Sequence, residues 1–231
     1  MATEYNEGRT TAMKRLIIVC EGPTEQEFCK DVLFPYFQSK GIILEYPTIK
    51  HSNGGIVPWA TIKKQLQNHL YEGNTIVSML IDFYRIKDSY SFPGWMEAKQ
   101  INDISQKMKY LFDEMKKDID LNLCSRFIPY IQVHEFEALL FSDISVFEKN
   151  FTQQELKMQL LKDAVASADT PEGINNGPNT APSVRLMQAV EGYDKVVYGA
   201  CLAYDIGLEK IREKCPSFND WIQILENFKS S

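Results

Sequence analysis

Residues 14–20 (Lys-Arg-Leu-Ile-Ile-Val-Cys) end in a short, unbroken apolar run from Leu16 to Cys20 and are closed by Gly22-Pro23. That is the pattern of a strand covered on both faces. Thr24 to Glu27 reads as a capping box, in which Thr24 accepts from the backbone at Glu27 while Glu27 reaches back. The helix it opens carries Phe28, Val32, Leu33, Tyr36 and Phe37 at helical spacing and runs towards Gly41. Residues 42–49 read as a second strand, followed by a turn at Asn53-Gly54-Gly55. A helix over 58–71 places Trp59, Ile62, Leu66 and Leu70 on one face. Residues 75–83 form a third, continuously apolar strand. An irregular segment through Pro93-Gly94 leads into a long helix over 96–117, and a fourth strand over 127–133 runs directly into His134-Glu135-Phe136-Glu137.

Strand and helix alternating on this scale predict an α/β fold, with a mostly parallel sheet of about four strands joined by right-handed crossovers and helices on both faces. From residue 153 the strand signal stops. Helices are expected over 156–166, 184–190, 195–204, 208–214 and 218–228, with a Gly/Asn/Pro-rich loop over 169–182 that is long enough to be functional as well as connecting. The division expected is a flexible leader or upstream start over 1–12, an α/β core over 13–150, and a helical C-terminal extension over 151–231 packed on that core. With 231 residues the chain is long enough for a sizeable core. No apolar run approaches the length of a membrane span.

Net charge is −6, from 25 basic and 31 acidic residues, so no global positive field draws the chain onto nucleic acid, although a local basic patch still can. The five cysteines, Cys20, Cys29, Cys124, Cys201 and Cys215, have no metal-finger spacing. Most of them read as small core residues of a protein in the reducing cytoplasm.

The acids fall where an open α/β sheet binds its ligands, beyond the carboxyl ends of the strands. Glu21 follows the first strand, Asp82 closes the third, and Glu135 and Glu137 follow the fourth. Taken singly, Glu21 reads equally as a turn residue, Asp82 as a strand-end cap, and Glu135 as an acid favoured by a helix dipole. Taken together they predict convergence at one sheet edge. Such carboxylates repel unless a cation lies between them or some become protonated. An all-oxygen ligand set suits Mg²⁺ or Mn²⁺, which polarises a phosphoryl oxygen and activates water.

The string Ile18-Val19-Cys20-Glu21-Gly22-Pro23-Thr24-Glu25 resembles the first signature of Toprim domains, and Ile81-Asp82-Phe83-Tyr84 stands where their Asp-x-Asp signature lies. Val133-His134-Glu135-Phe136-Glu137-Ala138-Leu139-Leu140-Phe141 resembles an uncharacterised bacterial Toprim-like family of unknown function, related to the Toprim part of the overcoming-lysogenisation-defect (OLD) nucleases. Phe92-Pro93-Gly94, the loop Ile174-Asn175-Asn176-Gly177-Pro178 with Pro182-Ser183 and Arg185, and Tyr193-Asp194-Lys195 before Gly199 extend the resemblance over most of the chain. It implies a Toprim-like, Rossmann-like core and a metal-dependent nuclease working on nucleic acid, DNA rather than RNA. Glu21, Asp82, Glu135 and Glu137 would be its metal ligands, and Glu21 alternatively its general base. It also implies a DNA-processing or phage-defence module with a separate ATPase of the AAA or ABC type. The chain departs from the pattern at Tyr84, where the second Asp is expected. A phenol with an ordinary pKa near 10 is a poor Mg²⁺ ligand, which supports the alternative of a non-catalytic binding or regulatory module. Asp88, six residues after Asp82, and Glu135 are the candidates to replace the missing acid.

Hydrolysis of a phosphodiester also needs a cation on the departing phosphate. Lys195 and Arg185 are the candidates, each reading otherwise as part of a solvated helix face. His134 reads either as a general acid or as a strand-end histidine bonded to backbone. Glu25 lies free near the strand edge if the helix begins at Thr24, and is a secondary site residue. Lys107-Met108-Lys109 and Lys116-Lys117 read as a solvated helix face. No Gly-Lys-Ser/Thr follows any glycine turn, so no phosphate loop for ATP is expected.

Overall fold

A computed structural model of the chain describes residues 14–52, 55–175, 177 and 179–228. The expected leader over 1–12 and the turn residues Asn53 and Gly54 lie outside the described residues. Four parallel strands, β1 (Lys14–Cys20), β2 (Ile42–Glu45), β3 (Thr75–Leu80) and β4 (Phe127–Ile128), form one sheet in the order β2-β1-β3-β4. The central strands β1 and β3 are buried on both faces, so neither shows polar alternation. Leu16, Ile18, Ile76 and Leu80 face one core, whereas Ile17, Val19, Val77 and Met79 face the other. The two-residue side-chain period of a strand divides the core in this way.

One face is covered by α3 (Trp59–Leu70) and α5 (Ile104–Asp118). The other carries α1 (Pro23–Phe28), a π turn (Cys29–Leu33) and α2 (Phe34–Ser39), with α6 (Phe147–Asn150), α7 (Met158–Ala166), α8 (Pro182–Ala189) and the C-terminal helices α9 (Lys195–Ile206), α10 (Leu208–Lys214) and α11 (Pro216–Asn227). Trp221 of α11 donates from its indole to Ser78 Oγ of β3 at 2.9 Å, and Ser78 donates on to the Ile128 carbonyl at 2.6 Å. The C-terminal helices are thus bonded into the sheet. Among the described residues no helix is long and apolar enough to cross a membrane. Cys20, Cys29 and Cys215 are buried free thiols.

β2 and β3 stop at Glu45 and Leu80, short of the expected 49 and 83, and three further elements depart from the sequence pattern, each for a local reason. The helix expected over 96–117 is broken into α4 (Trp95–Ala98) and α5, because Asp103 accepts from the Gln106 amide at 2.8 Å and starts a new helix as its cap. The fourth strand shrinks from 127–133 to two residues because Pro129 has no N–H to give the ladder; parallel pairing resumes only at the Asp82–Gln132 bridge. The first helix begins at Pro23, not Thr24. Proline at the first helical position is preset for the helix and lacks only an N–H that would go unpaired there.

Candidate functional site

The strand ends deliver the acids. Glu21 continues β1, and its amide donates to the Leu80 carbonyl at 2.9 Å. Beyond β3 the ladder persists: the Phe83 amide donates to the Gln132 carbonyl at 3.1 Å and the Tyr84 amide to the His134 carbonyl at 3.1 Å. That continuation sets Asp82 level with residues 132–136. Asp82 and Glu21 are locked together, since the Asp82 amide donates to Glu21 Oε2 at 2.9 Å and Asp82 Oδ1 accepts from the Phe136 amide at 2.7 Å. The last bond opens the 3-10 turn Phe136–Ser142, which carries Glu137 inward.

Because α1 starts at Pro23, Glu25 rather than Glu27 reaches back over the helix start. Its Oε2 accepts from the Gly22 amide at 3.0 Å. Glu27 instead pairs with Lys30 at the surface, 2.7 Å away. The expected Thr24–Glu27 box is therefore replaced by a Gly22–Glu25 one, which fixes Glu25 at the sheet edge.

One cation stands among these acids. Lys195 Nζ lies 3.1 Å from Asp82 Oδ2, 3.2 Å from Glu137 Oε2 and 3.3 Å from Glu25 Oε1. It occupies the first turn of α9, where a positive charge opposes the helix dipole; three carboxylates outweigh that. The approach of α9 depends on Gly199, whose missing Cβ would lie 2.8 Å from Thr24 Cγ2 and 3.5 Å from the Phe136 ring. Glu21, Glu25, Asp82, Glu135 and Glu137 are all buried.

Five carboxylates near one ammonium leave an excess of negative charge, and the protonation equilibria register it. Burial, and then the charge of Asp82, push Glu21 up to about 8, against the pull of the Asp82 amide. Burial pushes Glu137 up to about 7 against the attraction of Lys195, with Asp82 and Glu135 adding to the rise. Burial raises Glu25 as well, again against Lys195. For Lys195, burial opposes the charged form, but Asp82, Glu137 and Glu25 overcome it and hold the ammonium well above its ordinary value.

Among the described residues, no group of three or more histidine, cysteine, aspartate or glutamate side chains is already arranged to hold a metal ion. The donor chemistry nevertheless fits a hard divalent cation. Both Glu137 oxygens are buried and accept no hydrogen bond, and the nearby Tyr193 hydroxyl is buried without a partner. Buried polar atoms are rarely left unpaired unless water or an ion completes them. Glu21, Asp82 and Glu137 are the residues that would hold the cation.

The remaining sequence candidates separate into two groups. Glu135 stands beside the cluster with Oε2 accepting from the Ser183 amide at 3.0 Å, so it anchors the start of α8 (Pro182–Ala189). His134 has left-handed backbone (φ 63°), lies 3.3 Å from Asn175 Nδ2 through Nδ1, and faces the Tyr84 ring. Burial, with the positive charge of Lys107, lowers it to about 4, so it is a neutral imidazole near pH 7. Tyr84 is raised by burial and by the Glu135 charge; it stands over His134, outside the ring of acids around Lys195. Two candidates are engaged elsewhere. Asp88 pairs with Lys99 at 2.8 Å and accepts from the Trp95 indole at 2.8 Å, so it does not replace the missing acid. Arg185 donates from Nε to the Thr180 carbonyl at 2.9 Å, holding the end of the 169–182 loop. Tyr193 and Ser183 escaped the sequence reading as individual site residues, because neither type signals a site and only tertiary packing brings them here.

The chain matches, over residues 20–226, the protein family described as Domain of unknown function (DUF4276). No curated protein matches it. Among solved structures, the C-terminal region of the OLD protein of Xanthomonas campestris pv. campestris is similar at 14% identity and a TM-score of 0.33, with 93% of this chain and 98% of that one covered.

Proposed function

The chain belongs to the DUF4276 family, and on that premise we propose that it is a divalent-cation-dependent phosphodiesterase acting on nucleic acid, with a Toprim-like arrangement of acids. The observation that carries this reading is the meeting of Glu21, Asp82 and Glu137 at the carboxyl edge of the sheet with too little positive charge: Glu137 is buried with no hydrogen bond to either oxygen, and its one partner is the Lys195 ammonium that it shares with Asp82 and Glu25. Bound there, Mg²⁺ or Mn²⁺ would withdraw charge from a phosphoryl oxygen and acidify water. The chain's own groups supply the rest. Glu21 has one oxygen held by the Asp82 amide, which leaves the other to face the cation or, in the alternative role, to take a proton from the attacking water once a bound cation has ionised the carboxyl. Asp82 is fixed by the Phe136 amide and Lys195, and so keeps its place without substrate. Lys195 Nζ is the positive charge that faces a developing phosphate dianion. A partner ATPase of the AAA or ABC type, which the resemblance to the OLD-related family implies, belongs to the same proposal.

A second reading, a non-catalytic binding module, has one observation in its favour: Lys195 already contacts three of the acids. End-labelled single- and double-stranded DNA and RNA, incubated with the full chain in Mg²⁺ or Mn²⁺, discriminate the two. The enzyme reading expects cleavage that EDTA stops and that Asp82→Asn reduces by at least about 100-fold, the scale lost when a main electrostatic element of a site is removed. Binding without cleavage in either metal selects the second reading.

A further inference from the structure

Tyr84 is 42% exposed and lies in the 3-10 turn Phe83–Arg85 just beyond the core strand β3. It stands on the His134 imidazole, with ring centroids 5.3 Å apart and planes inclined by 32°. The support is rigid on both sides. The Tyr84 amide is bonded to the His134 carbonyl, and His134 contacts Asn175 of the 169–182 loop. Beside the ring opens a recess of about 320 Å³ lined by Tyr84, Glu135, Ala181, Ser183 and Val184. Glu135 therefore belongs to both the wall of the recess and the margin of the acid cluster. Positive charge accompanies the aromatic pair. Arg85 follows Tyr84 in the same 3-10 turn and is exposed, and Lys107 of α5 lies over the Phe83 ring at 5.8 Å and close enough to act on His134.

A flat, partly exposed ring on a fixed aromatic support, next to a recess and to cations, is the arrangement by which proteins hold unpaired nucleobases while phosphates run past on basic side chains. We infer that Tyr84, supported by His134, stacks an unpaired nucleobase in the recess it forms with Glu135 and the start of α8, so that the substrate is a single-stranded polynucleotide whose backbone is led towards the acids. The inference rests on the phosphodiesterase reading for the identity of the polymer. It also accounts for an aromatic residue at the position where a further metal-binding acid was expected, because a phenol serves stacking as it cannot serve a cation.

The test is fluorescence anisotropy of labelled dT12 and rU12 with the full chain in EDTA, where no hydrolysis interferes. An abasic oligomer of the same length and a matched duplex serve as comparisons. Binding of dT12 or rU12 is expected to exceed that of the abasic oligomer and the duplex. It is expected to weaken by about 5- to 150-fold in Tyr84→Ala, the range for loss of one stacked base, and to persist in Tyr84→Phe and Tyr84→Trp. Absence of binding, equal binding of the abasic oligomer, or a Tyr84→Ala affinity equal to the parent's would overturn the inference. Circular dichroism of Tyr84→Ala identifies a folding defect, in which case Tyr84→Phe against the abasic oligomer decides. The two proposals fail separately. Tyr84-dependent binding without any metal-dependent cleavage removes the enzyme reading and keeps the base site, whereas metal-dependent cleavage indifferent to Tyr84→Ala does the reverse.

Discussion

Glu21 and Lys195 act on the protein in opposite senses. A folded-state pKa of about 8 for Glu21 means that, between the unfolded value near pH 4 and pH 8, the folded chain keeps a proton the unfolded chain has lost. Stability therefore falls as pH rises through that window, by up to about 1.4 kcal/mol per pH unit for each such group. Glu137 adds the same sign up to about pH 7. Calorimetric melting in EDTA is expected to show a lower Tm at pH 8 than at pH 5.5. In Glu21→Gln the difference shrinks, since the amide oxygen still accepts from Asp82 while the buried charge is gone; an unchanged slope would refute the assignment. Lys195→Met is expected to do the opposite. It strips Asp82 and Glu137, each 1% exposed, of their shared cation, and removing one partner of a buried pair costs about 3 kcal/mol. Urea unfolding at pH 7.5 measures it, and Mn²⁺ is expected to restore part of the loss by occupying the vacated charge centre.

Among the elements, the packing of α9 on α1 places Lys195. Gly199→Ala puts a methyl group 2.8 Å from Thr24 Cγ2, and relieving that overlap moves the helix. A loss of about 1–3 kcal/mol is expected from the overpacking, with weakened Mn²⁺ affinity as the lysine shifts; unaltered Mn²⁺ affinity in a destabilised Gly199→Ala protein would show that α9 does not set the site. Glu172 does comparable work at the far end of the same face. Its buried carboxylate accepts from the Ser217 and Phe218 amides, both at 2.9 Å, and so satisfies the start of α11. Glu172→Ala leaves those donors unpaired and is expected to cost about 1–3 kcal/mol in urea unfolding. These contacts mark the limit of what the sequence shows. The apolar runs of β1 and β3 and the acids that follow them are legible because strand ends are where an α/β sheet gathers polar groups. Glu25 was legible as a residue but not in its role, since Pro23 moved the helix start by one position. The break between α4 and α5 was written in Asp103, a capping type inside a long helical pattern, and the shortening of β4 in Pro129.

Across the whole molecule, two cores lie on opposite faces of one four-stranded parallel sheet, and the same two-residue alternation that fills both delivers its end residues to a single edge. The α/β core and the helices after it were readable from periodicity. The meeting of β1, β3 and the 132–136 segment followed from topology rules, because parallel strands end at the same edge. What periodicity could not show is that Lys195, more than a hundred residues from Asp82 in the chain, completes the cluster; its neighbours Val196 and Val197 give the local pattern of any amphipathic helix. The Tyr84–His134 pair was equally hidden, since it depends on a left-handed residue that brings a histidine under a ring.

Hydrolysis at this site depends on a cation entering the acid edge. Anomalous difference density from crystals of the full chain soaked in Mn²⁺ tests this most directly. A peak bonded to oxygens of Glu21, Asp82 and Glu137 at about 2.0–2.2 Å, with Lys195 Nζ drawn away from Asp82, is the predicted result. Saturating Mn²⁺ with no peak at that edge, and Lys195 still holding its three carboxylates, would contradict it.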